Sequence, residues 1–298
     1  MINNGKGYIN NKISIGTAQF GLNYGISNVK GKTSKQEVKK ILNFAKQNNI
    51  ISIDTALAYG ESEKVLGSIG VSDFDVVTKM PPIGNSTINI ENLINENFQI
   101  SLQRLCLNSL DGILIHNDNE LLGKNGSKIF KSLKFLKQEG FVRKIGISSY
   151  NPEIAEKIID NFEIDLIQGP LNIFDRRFIS SGLLDKLSKS NIEFHSRSSF
   201  LQGLLLMNIN SLPIYFSKWN NLFISFANVL RDSGITALEA CVTYSLSLEN
   251  INKVIFGIES LSQLQEILKA VNTNIDINIF NQLETDDPML INPSLWPS

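Results

Sequence analysis

Asp54, Tyr59, Lys79 and His116 are the residues with the most chemistry to offer in this chain. A tyrosine hydroxyl ordinarily ionises near pH ~10, too high for an effective proton donor and acceptor at neutral pH. A lysine ammonium beside it lowers that value, and an aspartate beside the lysine keeps the ammonium charged and in place. An imidazole nearby can hydrogen-bond a carbonyl oxygen and orient it. Together the four suit protonation of an oxygen while hydride reaches the adjoining carbon. That hydride must come from a cofactor, because no side chain supplies one.

Each of these residues falls at or just beyond the end of an apolar run. Ile50–Ile53 precedes Asp54, with Tyr59 and Gly60 in the turn that follows; Asp75–Thr78 precedes Lys79; Gly112–Ile115 precedes His116. Lys144–Ile147 runs into Ser148, Asp165–Ile167 into Gln168, and Ile192–His195 into Ser196-Arg197. Lys12–Ile15, ending at Gly16-Thr17, and Lys253–Phe256 complete eight short strands. The intervening stretches carry helical spacing, such as Val38, Ile41, Leu42 and Ala45 within 33–48, capped by Thr33 or Ser34. Further helices are expected over 61–69, 90–107, 128–138, 152–160, 183–190, 222–247 and 261–271. Eight strands alternating with helices predict an α/β fold, a (β/α)8 TIM barrel formed by one domain over 1–298. A hairpin over Tyr8–Asn10 and Lys12–Ile15 is expected at its N-terminus, and 272–298 reads as a loop folded back over the body. A doubly wound open sheet is the alternative, but no Gly-x-Gly-x-x-Gly follows the first strand. In a barrel the strand C-termini form the active face, so the residues above converge there.

Composition narrows the function classes. Hydrophobic residues make up 42% and charged residues 19%, with Lys+Arg at 28 against Asp+Glu at 29. The near-zero net charge and lack of a basic run give no footprint for nucleic acid. No apolar run is long enough to cross a bilayer, and the N-terminus lacks a signal-peptide core. Cys106 and Cys241 read as reduced core residues of a cytoplasmic protein. With only His116 and His195 as imidazoles, no metal site is expected.

The segments Ile53-Asp54-Thr55-Ala56 through Tyr59-Gly60-x-Ser62-Glu63, Thr78-Lys79 and Leu114-Ile115-His116 resemble the aldo-keto reductase family. Lys144–Ser148, Gln168 and Leu201-Gln202-Gly203-Leu204-Leu205 extend the likeness from Gly16 to about Leu268. The resemblance implies a cytoplasmic carbonyl reductase using NAD(H) or NADP(H), monomeric or weakly self-associating. Tyr59 is then the general acid/base, tuned by Lys79 and Asp54, and His116 orients the substrate. The cofactor set so implied comprises Gly16, Thr17, Ser148, Ser149, Gln168, Arg197, Gly257, Glu259, Ser260 and Gln263. Ser148 and Gln168 hold the nicotinamide carboxamide, while Gly257 and Ser260 lie at the phosphate end.

Three departures from the family pattern matter. Ser149 stands where Asn is usual. Arg197 replaces the aromatic residue that stacks on nicotinamide, and its guanidinium could stack likewise or meet a substrate anion. The stretch Gly257–Gln263 contains no Lys or Arg for a 2′-phosphate, and Glu259 would repel one, which tilts the expectation toward NAD(H). The Arg197–Gly203 stretch is similar to reductases of bacterial sugar and surface-polysaccharide pathways. Phe20, Arg176 and Arg177 are candidate substrate contacts on that view, with Tyr24 as loop packing. Two other readings compete: Lys79 as a Schiff-base nucleophile of an aldolase-like barrel, and a cofactor-binding regulatory subunit on a reductase scaffold.

Overall fold

Eight parallel strands close on themselves in sequential order, β1 to β8, with β8 pairing back onto β1. They are β1 (Ile13–Gly16), β2 (Ser52–Asp54), β3 (Asp75–Met80), β4 (Leu110–Ile115), β5 (Val142–Ser148), β6 (Leu166–Pro170), β7 (Glu193–Arg197) and β8 (Lys253–Gly257). This computed structural model describes residues 9–84 and 89–297. Around the barrel stand α1 (Lys35–Gln47), α2 (Ser62–Ile69), α3 (Ile90–Leu105), α4 (Gly126–Gln138), α5 (Pro152–Ile159), α6 (Leu183–Lys189), α7 (Asn220–Ser233), α8 (Ala237–Ser247) and α9 (Leu261–Ala270).

Local chemistry sets the boundaries. The apolar stripe of α1 is the buried one, and its Ser34 hydroxyl accepts the Glu37 N–H. Asn151 caps α5 with Pro152 at its first turn. A reciprocal Thr236–Glu239 capping box starts α8. Gly234, in the left-handed region, ends α7. The stretch 222–247 is therefore two helices, because the left-handed glycine and the cap behind it interrupt the helical spacing.

Most of the apolar core lies between strands and helices. Inside the barrel the side-chain alternation of parallel strands stacks a small set of residues. Val77, Leu114 and Leu166 form a separate apolar layer, and Ser52 donates to Ser14 at 2.9 Å. Gly146 is needed there, since a Cβ would lie 1.8 Å from the Leu166 carbonyl oxygen. Two residues further along the same faces of β2, β3 and β6 stand Asp54, Lys79 and Gln168, above this layer.

Only the second half of the expected hairpin is a strand. Residues 9–12 form a helical turn leading into β1, and Tyr8 lies outside the described residues. Cys241 is buried in α8, whereas Cys106 is exposed, in a left-handed conformation that closes α3. The C-terminal segment does fold back over the body, as short helical turns that bury Phe280, Leu283, Leu290 and Ile291. Among the described residues no helix is long and apolar enough to cross a membrane.

Candidate active site

A cleft of about 640 Å³ opens at the C-terminal mouth of the barrel, with Asp54, Tyr59, His116, Ser148, Gln168 and Arg197 in its walls. Lys79 lies just beneath them, 1% exposed. Its Nζ donates to both Asp54 oxygens at 2.7 Å and to the Thr55 carbonyl at 2.9 Å. Gln168 Nε2 donates to Asp54 Oδ1 at 2.7 Å. The ammonium also sits 5.0 Å from the Tyr59 ring centroid. All three donors of Lys79 are thus occupied in a buried position, which leaves no nucleophile facing the cleft and removes the Schiff-base reading.

Tyr59 is carried by the β2–α2 turn. Tyr59 N–H bonds to the Ala56 carbonyl at 2.9 Å and Ser62 N–H to the Tyr59 carbonyl at 3.0 Å. The short helix Ala18–Gly21 supports this turn from below. Gly21 permits the approach: a Cβ there would lie 1.8 Å from the Tyr59 carbonyl oxygen. Ser62 Oγ ties the same turn to Thr17, donating to its carbonyl at 2.9 Å. The imidazole of His116 meets the Tyr59 ring edge-on, with centroids 6.1 Å apart.

Burial dominates the protonation states. It raises the Tyr59 hydroxyl above its ordinary pKa, and the Asp54 charge adds to the rise. The cation that works against this is Arg197. Lys79 does not lower Tyr59 as the sequence led us to expect, because Asp54 neutralises its field at close range. Burial pushes the Lys79 ammonium down as well, and Asp54 opposes that shift. His116 is pushed down to about 4 by burial and by the charges of Lys79 and Arg197. At neutral pH the site therefore holds a protonated tyrosine and a neutral imidazole, two donors able to face one carbonyl oxygen.

The expected cofactor residues divide. Gly16, Thr17, Ser148, Gln168, Arg197, Gly257, Glu259 and Gln263 line the cleft. Ser149 does not, because its hydroxyl is bonded to Asp118 and to the Asn151 carbonyl. Ser260 is absent from the lining too: its hydroxyl caps α9 by accepting Gln263 N–H. The substrate expectations shift more. Phe20 is wholly buried in the core, while Tyr24 faces the cleft. Arg176 is buried and donates to the carbonyls of Ile173 and Phe280 and to Asn281. Arg177 pairs with Asp175 at 2.8 Å. Both arginines hold structure and lie outside the cleft.

Sequence reasoning missed Gln19, Tyr150 and the start of α8 at Thr236–Leu238, all in the cleft wall. Gln19 and Tyr150 sit just past the ends of β1 and β5, a positional signal that could have found them. Nothing local marks Thr236–Leu238. The Ser198–Gly203 loop after β7 also lines the cleft, and Ser198, Leu201, Gln202 and Gly203 all have positive φ. Backbone strain of this kind is concentrated at functional sites.

Residues 12–286 match the family model for the aldo/keto reductase family. The chain belongs to the aldo/keto reductase family. That membership places it among oxidoreductases acting on carbonyl compounds. It is 26% identical over 262 residues to an uncharacterized oxidoreductase of Bacillus subtilis, covering 80% of this chain and 84% of that protein. It is 27% identical over 264 residues to an L-galactose dehydrogenase of Arabidopsis thaliana, covering 82% of each. Among solved structures, the holo form of an aldo-keto reductase from Bacillus halodurans superposes with a TM-score of 0.74 at 19% identity, over 96% of this chain and 95% of that one.

Aldo-keto reductases use NAD(P)H, and the polar atoms of the cleft fit such a group. The side-chain oxygens of Gln168, Gln19 and Ser199 are buried with no hydrogen-bond partner, and all three residues line the cleft. Gln168 has its amide N–H on Asp54, so its free oxygen is set to accept from a carboxamide. A Cβ on Gly16 would lie 3.0 Å from Ile255 and 3.1 Å from the Phe256 carbonyl oxygen, so a side chain there would crowd the β1–β8 edge.

Proposed function

We propose that this protein reduces a small carbonyl compound to an alcohol with NADH, with Tyr59 as the proton donor. The observation that carries the reading is the packing of Lys79 on Asp54 directly beneath Tyr59, beside a neutral His116. The substrate oxygen accepts from the Tyr59 hydroxyl and from a His116 N–H. Bound nicotinamide supplies the hydride. As negative charge gathers on the oxygen, Tyr59 passes its proton across, and Arg197, the cation that lowers the Tyr59 hydroxyl, stabilises the phenolate left behind. Asp54, itself held by the Gln168 amide, keeps the ammonium beneath the ring. Ser148 and Gln168 would hold the carboxamide of the bound dinucleotide, and Gly257, Glu259 and Gln263 would face its adenosine end.

The preference for NADH follows from charge at the start of α9. Glu259 faces the cleft, and Glu37 reaches across from α1 to accept the Leu261 N–H at 2.8 Å. Lys30 acts on both carboxylates and Lys40 pairs with Glu37, but two acids and an occupied amide at this helix start disfavour a 2′-phosphate. Titration of NADH and NADPH in parallel, followed by fluorescence quenching, tests both statements. Binding of NADH roughly tenfold tighter is expected; tighter NADPH refutes the preference, and binding of neither refutes the reductase. Dinucleotide binding without turnover of any carbonyl is the result that would favour a regulatory subunit.

A further inference from the structure

Arg197 ends β7, and its guanidinium forms part of the cleft wall. The guanidinium carbon lies 3.9 Å from the Tyr150 ring centroid. One nitrogen makes a long bond to Ser198 Oγ at 3.4 Å. Among the described residues no carboxylate pairs with it: Asp54 is held by Lys79 and Gln168, and Asp118 accepts from Ser149. The other enclosed cations are treated differently. Lys79 has three oxygen partners, Arg176 has three, and Arg177 has Asp175. A guanidinium carries five N–H donors in a planar fork suited to carboxylate or phosphate. Stacking on Tyr150 and a hydrogen bond to its side chain offset part of the desolvation, but neither supplies a negative charge to balance the guanidinium. Tyr59 and His116 stand in the same wall.

We propose that the substrate of this enzyme carries a small oxyanion group, carboxylate or phosphate, which Arg197 holds while the carbonyl oxygen rests against Tyr59 and His116. The inference rests on the carbonyl-reductase reading above and adds the substrate class. A neutral aldehyde would leave the guanidinium without a counter-charge, whereas an anionic one completes it and fixes the carbonyl in one orientation.

Two matched substrate pairs test this: glyceraldehyde 3-phosphate against glyceraldehyde, and succinic semialdehyde against butanal. In the wild type, kcat/KM for the anionic member of at least one pair should exceed that for its neutral partner by about tenfold or more, chiefly through KM. The preferred pair tells phosphate from carboxylate. In Arg197→Met the ratio should fall to about one, and Arg197→Lys should retain part of it. A ratio near one in the wild type, or a ratio unchanged by Arg197→Met, overturns the proposal. A uniform loss of NADH affinity with the ratio intact would assign Arg197 to the cofactor instead, and also overturns it. Calorimetric titration of inorganic phosphate and of malonate, with and without NAD+, supplies an arm independent of turnover. Binding that disappears in Arg197→Met supports the anion site even if no aldehyde is reduced, in which case the reductase reading is what fails. Absence of both turnover and anion binding overturns the proposal.

Discussion

At the scale of single residues, burial and charge set what the site does at each pH. Tyr59 stays protonated through neutrality because burial and Asp54 both raise it, so the hydroxyl holds the proton the reaction needs, although the raised value makes it a weaker acid than a free tyrosine. His116 and His195 are the two histidines of the chain, and both are shifted down by burial. Proton NMR of the ring signals should show His116 neutral at pH 6 and protonating only near about 4. A midpoint at the ordinary value near ~6.5 would contradict the packing described. The sign for stability follows. Below pH ~6.5 the unfolded chain takes up a proton that folded His116 refuses, so this residue's contribution to stability shrinks as pH falls toward 4. The four residues were legible from type and spacing alone. Their electrostatic division of labour was not, because it depends on Asp54 accepting with both oxygens from Lys79 and with one also from Gln168, and on Arg197 lying in the same wall.

Placement of those residues depends on elements that approach one another closely. Gly21 supports the Tyr59 turn, and the added methyl of Gly21→Ala would overlap the Tyr59 carbonyl oxygen and the Ser62 amide. We expect Gly21→Ala to lose about 1–3 kcal/mol of stability and at least tenfold in kcat, as the turn moves. Gly123→Ala, where a Cβ meets nothing closer than 3.4 Å, should change neither appreciably. Chemical denaturation and steady-state rates on the pair check this; equal tolerance of both would show that the turn is not fixed by Gly21. Strand ends were readable because an apolar run stops at a polar residue. The role of Gly21 was not, since its reason lies in a turn about forty residues later in the chain. Phe20 and Tyr24 exchanged roles for a related cause: a short helix and loop give no periodic signal to say which ring faces the core. Arg176 was misread because its partners, Phe280 and Asn281, come from the far end of the sequence.

For the molecule as a whole, the two mouths of the barrel have separate tasks. The C-terminal mouth carries the cleft. The opposite mouth carries an ion network: Arg143 bonds Asp111 at 2.8 Å, Lys144 pairs with Glu193 at 2.8 Å, and His195 bonds Glu193 at 3.0 Å. Burial alone would raise Glu193, but the bonds from His195 and Lys144 hold it at about 2. Its contribution to stability is present above the ordinary carboxylate range and is lost as pH falls toward 2. Glu193→Gln should therefore flatten the acid limb of the stability curve; an unchanged limb would show that the network contributes nothing. Closure of the chain over the barrel depends on Arg176, whose guanidinium lies over the Tyr244 ring and whose donors satisfy the returning segment. Truncation by Arg176→Ala leaves a buried carbonyl unpaired and should cost about 2–4 kcal/mol, with kcat of the folded molecules unchanged. A loss of kcat without loss of stability would return Arg176 to the substrate site. The alternation of strand and helix made the barrel legible, because each unit repeats the same burial problem. The closing segment has no repeat, and its place is set by long-range contacts alone.

Tyr59 as the proton donor in a carbonyl reduction is the role on which everything above turns. The most direct test compares wild type with Tyr59→Phe, following NADH consumption with an aldehyde and, separately, NADH binding. Tyr59→Phe should lose about 10²–10⁴-fold in kcat with NADH affinity nearly unchanged. Turnover in Tyr59→Phe within a fewfold of wild type would contradict that role.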